Sequence, residues 1–185
     1  MDDNTMVTNQ LHADADALLA ESALPDLLAP YGQVQLTGSY RYRLMTVPDI
    51  DLHLINPAFD REQVKHLVTD LIAQGFWRGI SYEDFVQFPR EDLPVGYYIG
   101  LKRLILGNFW KIDIWCLTDP SRNLAFDEAM AHLTPKQCQV ILAIKHWRRE
   151  ANKLALPSML IYEAVLQEKA YDVTSFQRWL EERGA

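Results

Sequence analysis

Three aspartates carry the chemistry this chain offers. Asp49 and Asp51 stand two residues apart in Asp49-Ile50-Asp51-Leu52-His53-Leu54, and Asp113 lies well downstream in Lys111-Ile112-Asp113-Ile114-Trp115. Strict polar–apolar alternation is the pattern of a half-buried β-strand, so Asp49, Asp51 and His53 share one face and the aliphatics the other. Cα atoms two apart on a strand are roughly 7 Å apart, close enough for both carboxylates to reach one pair of divalent cations. Two such ions about 3.5–4 Å apart neutralise the attacking and leaving oxygens of a phosphorus centre, and holding them takes several converging carboxylates. Asp113 completes the set if its strand lies beside the first.

Upstream, Gly38-Ser39 supplies what the other end of a phosphorylated substrate needs. Glycine lets backbone approach a phosphate closely, and serine offers a hydroxyl and an amide at a helix start, where anions are favoured. Residues 40–48 then leave room for one short helix that returns the chain to a neighbouring strand.

The run Gly38-Ser39-Tyr40-Arg41-Tyr42-Arg43-Leu44-Met45-Thr46-Val47-Pro48-Asp49-Ile50-Asp51-Leu52 resembles the signature of the DNA polymerase β-like nucleotidyltransferase superfamily: Gly-Ser, a spacer, then Asp-hydrophobic-Asp. Lys111-Ile112-Asp113-Ile114-Trp115 matches its third carboxylate on a later strand. The resemblance covers residues 33–54 and 109–117. It implies transfer of a nucleoside monophosphate from a nucleoside triphosphate to an acceptor hydroxyl, with release of pyrophosphate and two Mg²⁺ ions for which Mn²⁺ can substitute. By the same resemblance, Asp49 and Asp51 bridge both metals, Asp113 binds the catalytic metal and orients the acceptor, and Gly38 and Ser39 contact the triphosphate. Relatives use an arginine after Gly-Ser; here Tyr42 holds the matching position, so Arg41 and Arg43 are the candidates. The C-terminal third resembles the small helical lobe of poly(A) polymerase-like and oligoadenylate synthase-like enzymes, where a helix bearing a lysine is followed by a serine at the triphosphate. Lys145-His146-Trp147 and Pro157-Ser158 match that pattern, which adds Lys145 and Ser158 to the triphosphate site.

The elements that must position these residues follow from periodicity. Residues 9–28 read as helix broken at Pro25, 33–37 as a strand, and 41–46 as a short helix before Pro48. Residues 60–74 read as an amphipathic helix with Gly75 at its C-cap, and a strand is expected at 76–80. Runs 97–106 and 109–117 are strands around a Gly107-Asn108 turn. Thr134-Pro135 opens a helical C-terminal third, threonine capping and proline taking the first helical position. The expectation is an α+β fold: a small mixed sheet, palm-like and flanked by helices, over residues 1–120, with a C-terminal helical lobe over 121–185.

Composition narrows the partners. With 185 residues, 49% of them hydrophobic, the chain can bury an ordinary core, while 25 acidic against 18 basic residues leave a net charge of −7. That balance opposes a broad nucleic-acid face, so no long duplex DNA is expected. The acceptor classes that remain are a small molecule, an RNA 3′ end or a protein side chain. Cys116 and Cys138 stand alone without metal-ligand spacing. No stretch approaches the roughly 18 apolar residues of a membrane span, and the first residues are acidic and polar; a cytoplasmic protein with no membrane partner is expected.

Simpler readings compete at each position. His53 on the carboxylate face reads as a hydrogen-bonded rim residue, Lys145, Arg148 and Arg149 as a solvated basic face, and the five tryptophans as packing residues. The rival function is a catalytically silent nucleotide-binding module of the same fold.

Overall fold

The computed structural model describes residues 3–105 and 107–184. The chain runs α1 (Asp3–Ser22), α2 (Leu24–Leu28), β1 (Gln33–Thr37), α3 (Gly38–Arg41), β2 (Asp49–Ile55), α4 (Arg61–Ala73), β3 (Gly79–Asp84), β4 (Tyr97–Ile105), β5 (Asn108–Leu117), α5 (Ser121–Ala131), α6 (Pro135–Glu150), α7 (Ser158–Leu166) and α8 (Val173–Glu182). The strands form one mixed sheet in the order β1-β2-β5-β4-β3. Only β2 and β5 run parallel among the described pairs. The architecture is α+β, as the alternation and helical periodicity lead one to expect.

The sheet's two faces are separated by sequence. Ile50, Leu52 and Leu54 of β2 and Ile112 and Ile114 of β5 are fully buried, with helices α1, α2 and α4 contributing to the same core. Burying each such side chain contributes roughly 1.5–3 kcal/mol. A one-residue slip of register would swap these aliphatics for the carboxylates between them, so the core fixes which face the acids occupy. α4 is held at its start by a capping box: the Asp60 side chain accepts from the Gln63 amide at 2.8 Å and the Gln63 side chain accepts from the Asp60 amide at 3.3 Å.

Local expectations needed adjustment in four places. The first break in helix falls at Ala23, which adopts a left-handed φ of 46°, and Pro25 sits in the first turn of α2, where its missing N–H is no loss. The helix after β1 begins at Gly38, not Arg41, and stops early because Arg43 turns left-handed with φ 56°. β3 spans Gly79–Asp84 rather than 76–80, because Phe76 and Trp77 pack edge to face while Ile80 and Tyr82 supply the alternation. In the β4–β5 hairpin Ile105 pairs with Asn108, so Asn108 opens β5; Leu106 lies outside the described residues.

A second buried cluster gathers Ile141 and Ile144 of α6, Ile161, Ala164 and Val165 of α7, and Phe176 and Leu180 of α8. Thr134 caps α6 with Pro135 in its first turn, as read from sequence, and Gln137 closes the capping box. The boundary expected at residue 120 falls between β5 and α5. Leu44 is buried in this second cluster while its neighbour Met45 is buried in the first. Among the described residues, no helix is long and apolar enough to cross a membrane.

Candidate active site

Strand register brings the three aspartates together. Asp51 lies directly opposite Asp113 on the parallel neighbour β5, and Thr37 of β1 lies opposite Asp51 on its other side. Each of Asp49, Asp51 and Asp113 offers a carboxylate oxygen that lies within 4.8 Å of the others'. Burial, then Asp49 and Asp113, push Asp51 up to about 7, and burial followed by Asp113 raises Asp49; Lys111 and Lys145 oppose both shifts. Asp49 Oδ1 is buried and has no hydrogen-bond partner. Converging hard oxygens, mutual repulsion and a desolvated acceptor with nothing to bind make this donor set fit a divalent cation.

Asp113 is held from two sides. The Tyr98 hydroxyl donates to its Oδ1 at 2.6 Å, and Lys111 Nζ donates to its Oδ2 at 2.5 Å. Burial and the Asp113 carboxylate keep the proton on Tyr98 far above the ordinary phenol range.

Gly38 is required by geometry. Its φ is +63°, and a Cβ there would lie 2.0 Å from Asp51 Oδ2, so only glycine lets β1 turn into α3 against that carboxylate. Ser39, buried to 8% exposure, follows it.

The acids open into a cleft of about 490 Å³ whose walls include Gly38, Ser39, Asp49 and Asp51 from the sheet side and Lys145, Arg148 and Ser158 from α6 and α7. Lys145 is 2% exposed; its Nζ donates to the Leu44 carbonyl at 2.8 Å and to the Tyr162 hydroxyl at 3.1 Å. Burial and Arg148 lower it to about 7, against the pull of Asp51 and Asp49. Ser158 Oγ accepts from Arg148 Nη1 at 2.9 Å. Lys145 and Ser158 therefore share the cleft with Asp49 and Asp51. Arg41 and Arg43 do not line it: both are exposed, Arg41 lying over the Tyr42 ring at 5.7 Å.

Arg148, for which a solvated basic face competes with phosphate contact in the sequence, is 6% exposed and lines the cleft. The signal lay in the spacing: Ile141, Ile144, Lys145 and Arg148 occupy one helical stripe, so the cations continue the buried face. His53 is also buried in the cleft wall with Nδ1 unpartnered, rather than a hydrogen-bonded rim residue. Asp127, which accepts from Tyr42 at 2.6 Å, carries no sequence signal, and nothing in the sequence ties Tyr98, readable only as a packing or stacking aromatic, to Asp113. Of the tryptophans, Trp110 is core and Trp115 reaches the cleft.

No protein-family model matches the chain, and no curated protein matches its sequence. Among solved structures it is similar to the poly(A) polymerase complex GLD-2–GLD-3, a distant neighbour at 13% identity and a TM-score of 0.49, covering 80% of this chain and 51% of that one. The chain thus spans about half the length of the structure it matches.

Proposed function

We propose that the chain is a metal-dependent nucleotidyltransferase that moves a nucleoside monophosphate from a nucleoside triphosphate to an acceptor hydroxyl. One observation carries the reading: Asp49 and Asp51 line one cleft with Gly38-Ser39 and the buried cations Lys145 and Arg148, and Asp113 brings a third carboxylate within 4.8 Å of theirs. Two Mg²⁺ ions, or Mn²⁺ in their place, held by Asp49, Asp51 and Asp113, would supply charge neutralisation at the reacting phosphorus. Asp113 orients the acceptor hydroxyl and takes its proton as the oxygen bonds to the α-phosphorus and the bond to pyrophosphate breaks. Gly38 and Ser39 offer backbone and hydroxyl to the triphosphate; Lys145 and Arg148 meet its charge from the other wall, with Ser158 beside them. The net charge of −7 weighs toward a small-molecule or protein-side-chain acceptor over an RNA 3′ end. The unpaired cysteines suit a reducing, cytoplasmic setting.

The test is thermal unfolding with each of the four nucleoside triphosphates, with and without Mg²⁺, followed by an assay for pyrophosphate. Ligand at 100 times its Kd adds about 2.7 kcal/mol to apparent stability. A metal-dependent shift that Asp49→Asn/Asp51→Asn abolishes supports the site, and loss of turnover in Asp113→Asn with triphosphate binding retained supports its role. No shift with any triphosphate refutes the reading. The Lys111 ammonium already seated on Asp113 favours the second reading, a silent nucleotide-binding module; metal-dependent binding without pyrophosphate from any acceptor would establish it.

A further inference from the structure

The rung of the sheet that carries the acids continues past them. Asp113 pairs across β4 with Gly100, and Gly100 pairs across β3 with Ser81. A Cβ on Gly100 would stand 2.6 Å from both the Tyr98 hydroxyl and Ser81 Oγ. The missing side chain leaves a slot over the strand. Tyr98, two residues back on the same face, lays its phenol into that slot and donates a hydrogen bond to Asp113 Oδ1 at 2.6 Å. Its ring is held from the other direction by Trp115, centroids 5.4 Å apart, and Trp115 packs in turn on Phe85 at the same separation.

A carboxylate that binds a metal and also orients a nucleophile needs one oxygen committed and the other available. The two donors on Asp113 divide in that way. Tyr98 is neutral, part-buried and packed on Trp115, which Phe85 backs in turn, whereas the Lys111 side chain is 46% exposed and reaches Oδ2 from a flexible stem. If a cation were held by the acids, the exposed lysine would be the partner of Asp113 free to withdraw, and the packed phenol the one to stay.

We propose that Tyr98, admitted by Gly100, is a positioning residue that fixes the rotamer of Asp113 so that Oδ2 alone faces metal and acceptor. The inference rests on the metal-site reading above. Partners of this kind behind a metal-binding carboxylate commonly change metal affinity or activity 10- to 100-fold when removed.

The experiment is Mn²⁺ titration by calorimetry of the full chain as wild type, Tyr98→Phe, Gly100→Ala and the double variant, alongside melting temperature and, with nucleotide and acceptor, kcat and KM. Tyr98→Phe keeps the ring and its packing on Trp115, so the fold is retained. The expected result is a 10- to 100-fold rise in half-saturating Mn²⁺ for Tyr98→Phe, a similar rise for Gly100→Ala, and no further rise in the double variant, since both break one contact. In turnover, kcat falls while KM for the triphosphate stays within about twofold. Unchanged Mn²⁺ affinity in Tyr98→Phe, or additive effects in the double variant, would overturn the proposal and leave Tyr98 a packing residue. A wild type that binds Mn²⁺ but releases no pyrophosphate would sink the transferase reading alone, because the metal titration still tests Tyr98. A wild type that binds no Mn²⁺ overturns both.

Discussion

Asp51 and Asp113 face each other directly across adjacent parallel strands, and this pairing concentrates negative charge at the base of the cleft. Asp51, held at about 7 by burial and its two acidic neighbours, keeps a proton in the folded protein that the unfolded chain releases near pH 4. Between those values the native state binds more protons, so without metal the stability falls as pH rises from about 4 to 7. Asp51→Asn should remove most of this slope and raise stability at pH 7.5 by on the order of 1 kcal/mol, roughly 2–4 °C in Tm. Urea denaturation at pH 5, 6, 7 and 8 checks it; saturating Mn²⁺ should flatten the wild-type slope and leave the variant untouched.

Gly38→Ala forces a Cβ into the left-handed region and against Asp51 Oδ2. The strain alone is worth about 1–3 kcal/mol. Urea unfolding should show a loss of that size or larger, and Mn²⁺ affinity should fall as well. A variant as stable as wild type would mean that β1 and α3 can part from β2 without cost.

Lys145 releases its proton near pH 7 in the fold but only near 10.5 when unfolded. The unfolded state therefore binds more protons between those values, and this residue's contribution makes stability rise with pH from about 7 to 10.5. Lys145→Met should abolish that rise and leave the protein at least as stable at pH 7. It should also weaken triphosphate binding roughly 10- to 100-fold, the value of a hydrogen bond to a charged partner. Isothermal titration of the variant with each triphosphate measures the second effect, and an unchanged Kd would remove Lys145 from the site.

His53 lies in the cleft wall with an unpartnered, buried Nδ1, and burial favours its neutral form over any pull from Asp127. A desolvated ring nitrogen without a partner costs roughly 1–3 kcal/mol. His53→Leu should recover about 1 kcal/mol of that in denaturant unfolding. If the variant is instead less stable, the nitrogen is satisfied by water in solution.

The sheet was legible because its period is two and its core is aliphatic: Asp49-Ile50-Asp51-Leu52 states which residues face each way, and the Gly-Ser turn sits where the chain must double back. Even so, the pairing of Asp51 with Asp113 depends on β5 lying between β2 and β4, which alternation alone does not specify. Tyr98 was unreadable, since its contact with Asp113 depends on a hairpin register and on an empty Cβ position at Gly100. β3 was misplaced because an edge strand exposes Ser81 and Glu83 and looks polar. The cations of α6 are readable in their spacing, which continues the apolar stripe of Ile141 and Ile144, whereas their charge alone points to solvent.

Leu44 and Met45, adjacent in sequence yet buried in different clusters, bind the order of assembly to the site itself. The cleft-facing acids begin four residues later, and the contact that fixes this segment, Lys145 to the Leu44 carbonyl, spans a hundred residues of chain. Such non-local closure costs loop entropy before it is rewarded, so it is expected to form after the sheet. A nascent chain released only as far as β5 carries all three aspartates with Leu44 still uncovered. The cleft is then completed last, and a folding intermediate with a finished sheet would hold the aspartates without Lys145, Arg148 and Ser158 beside them.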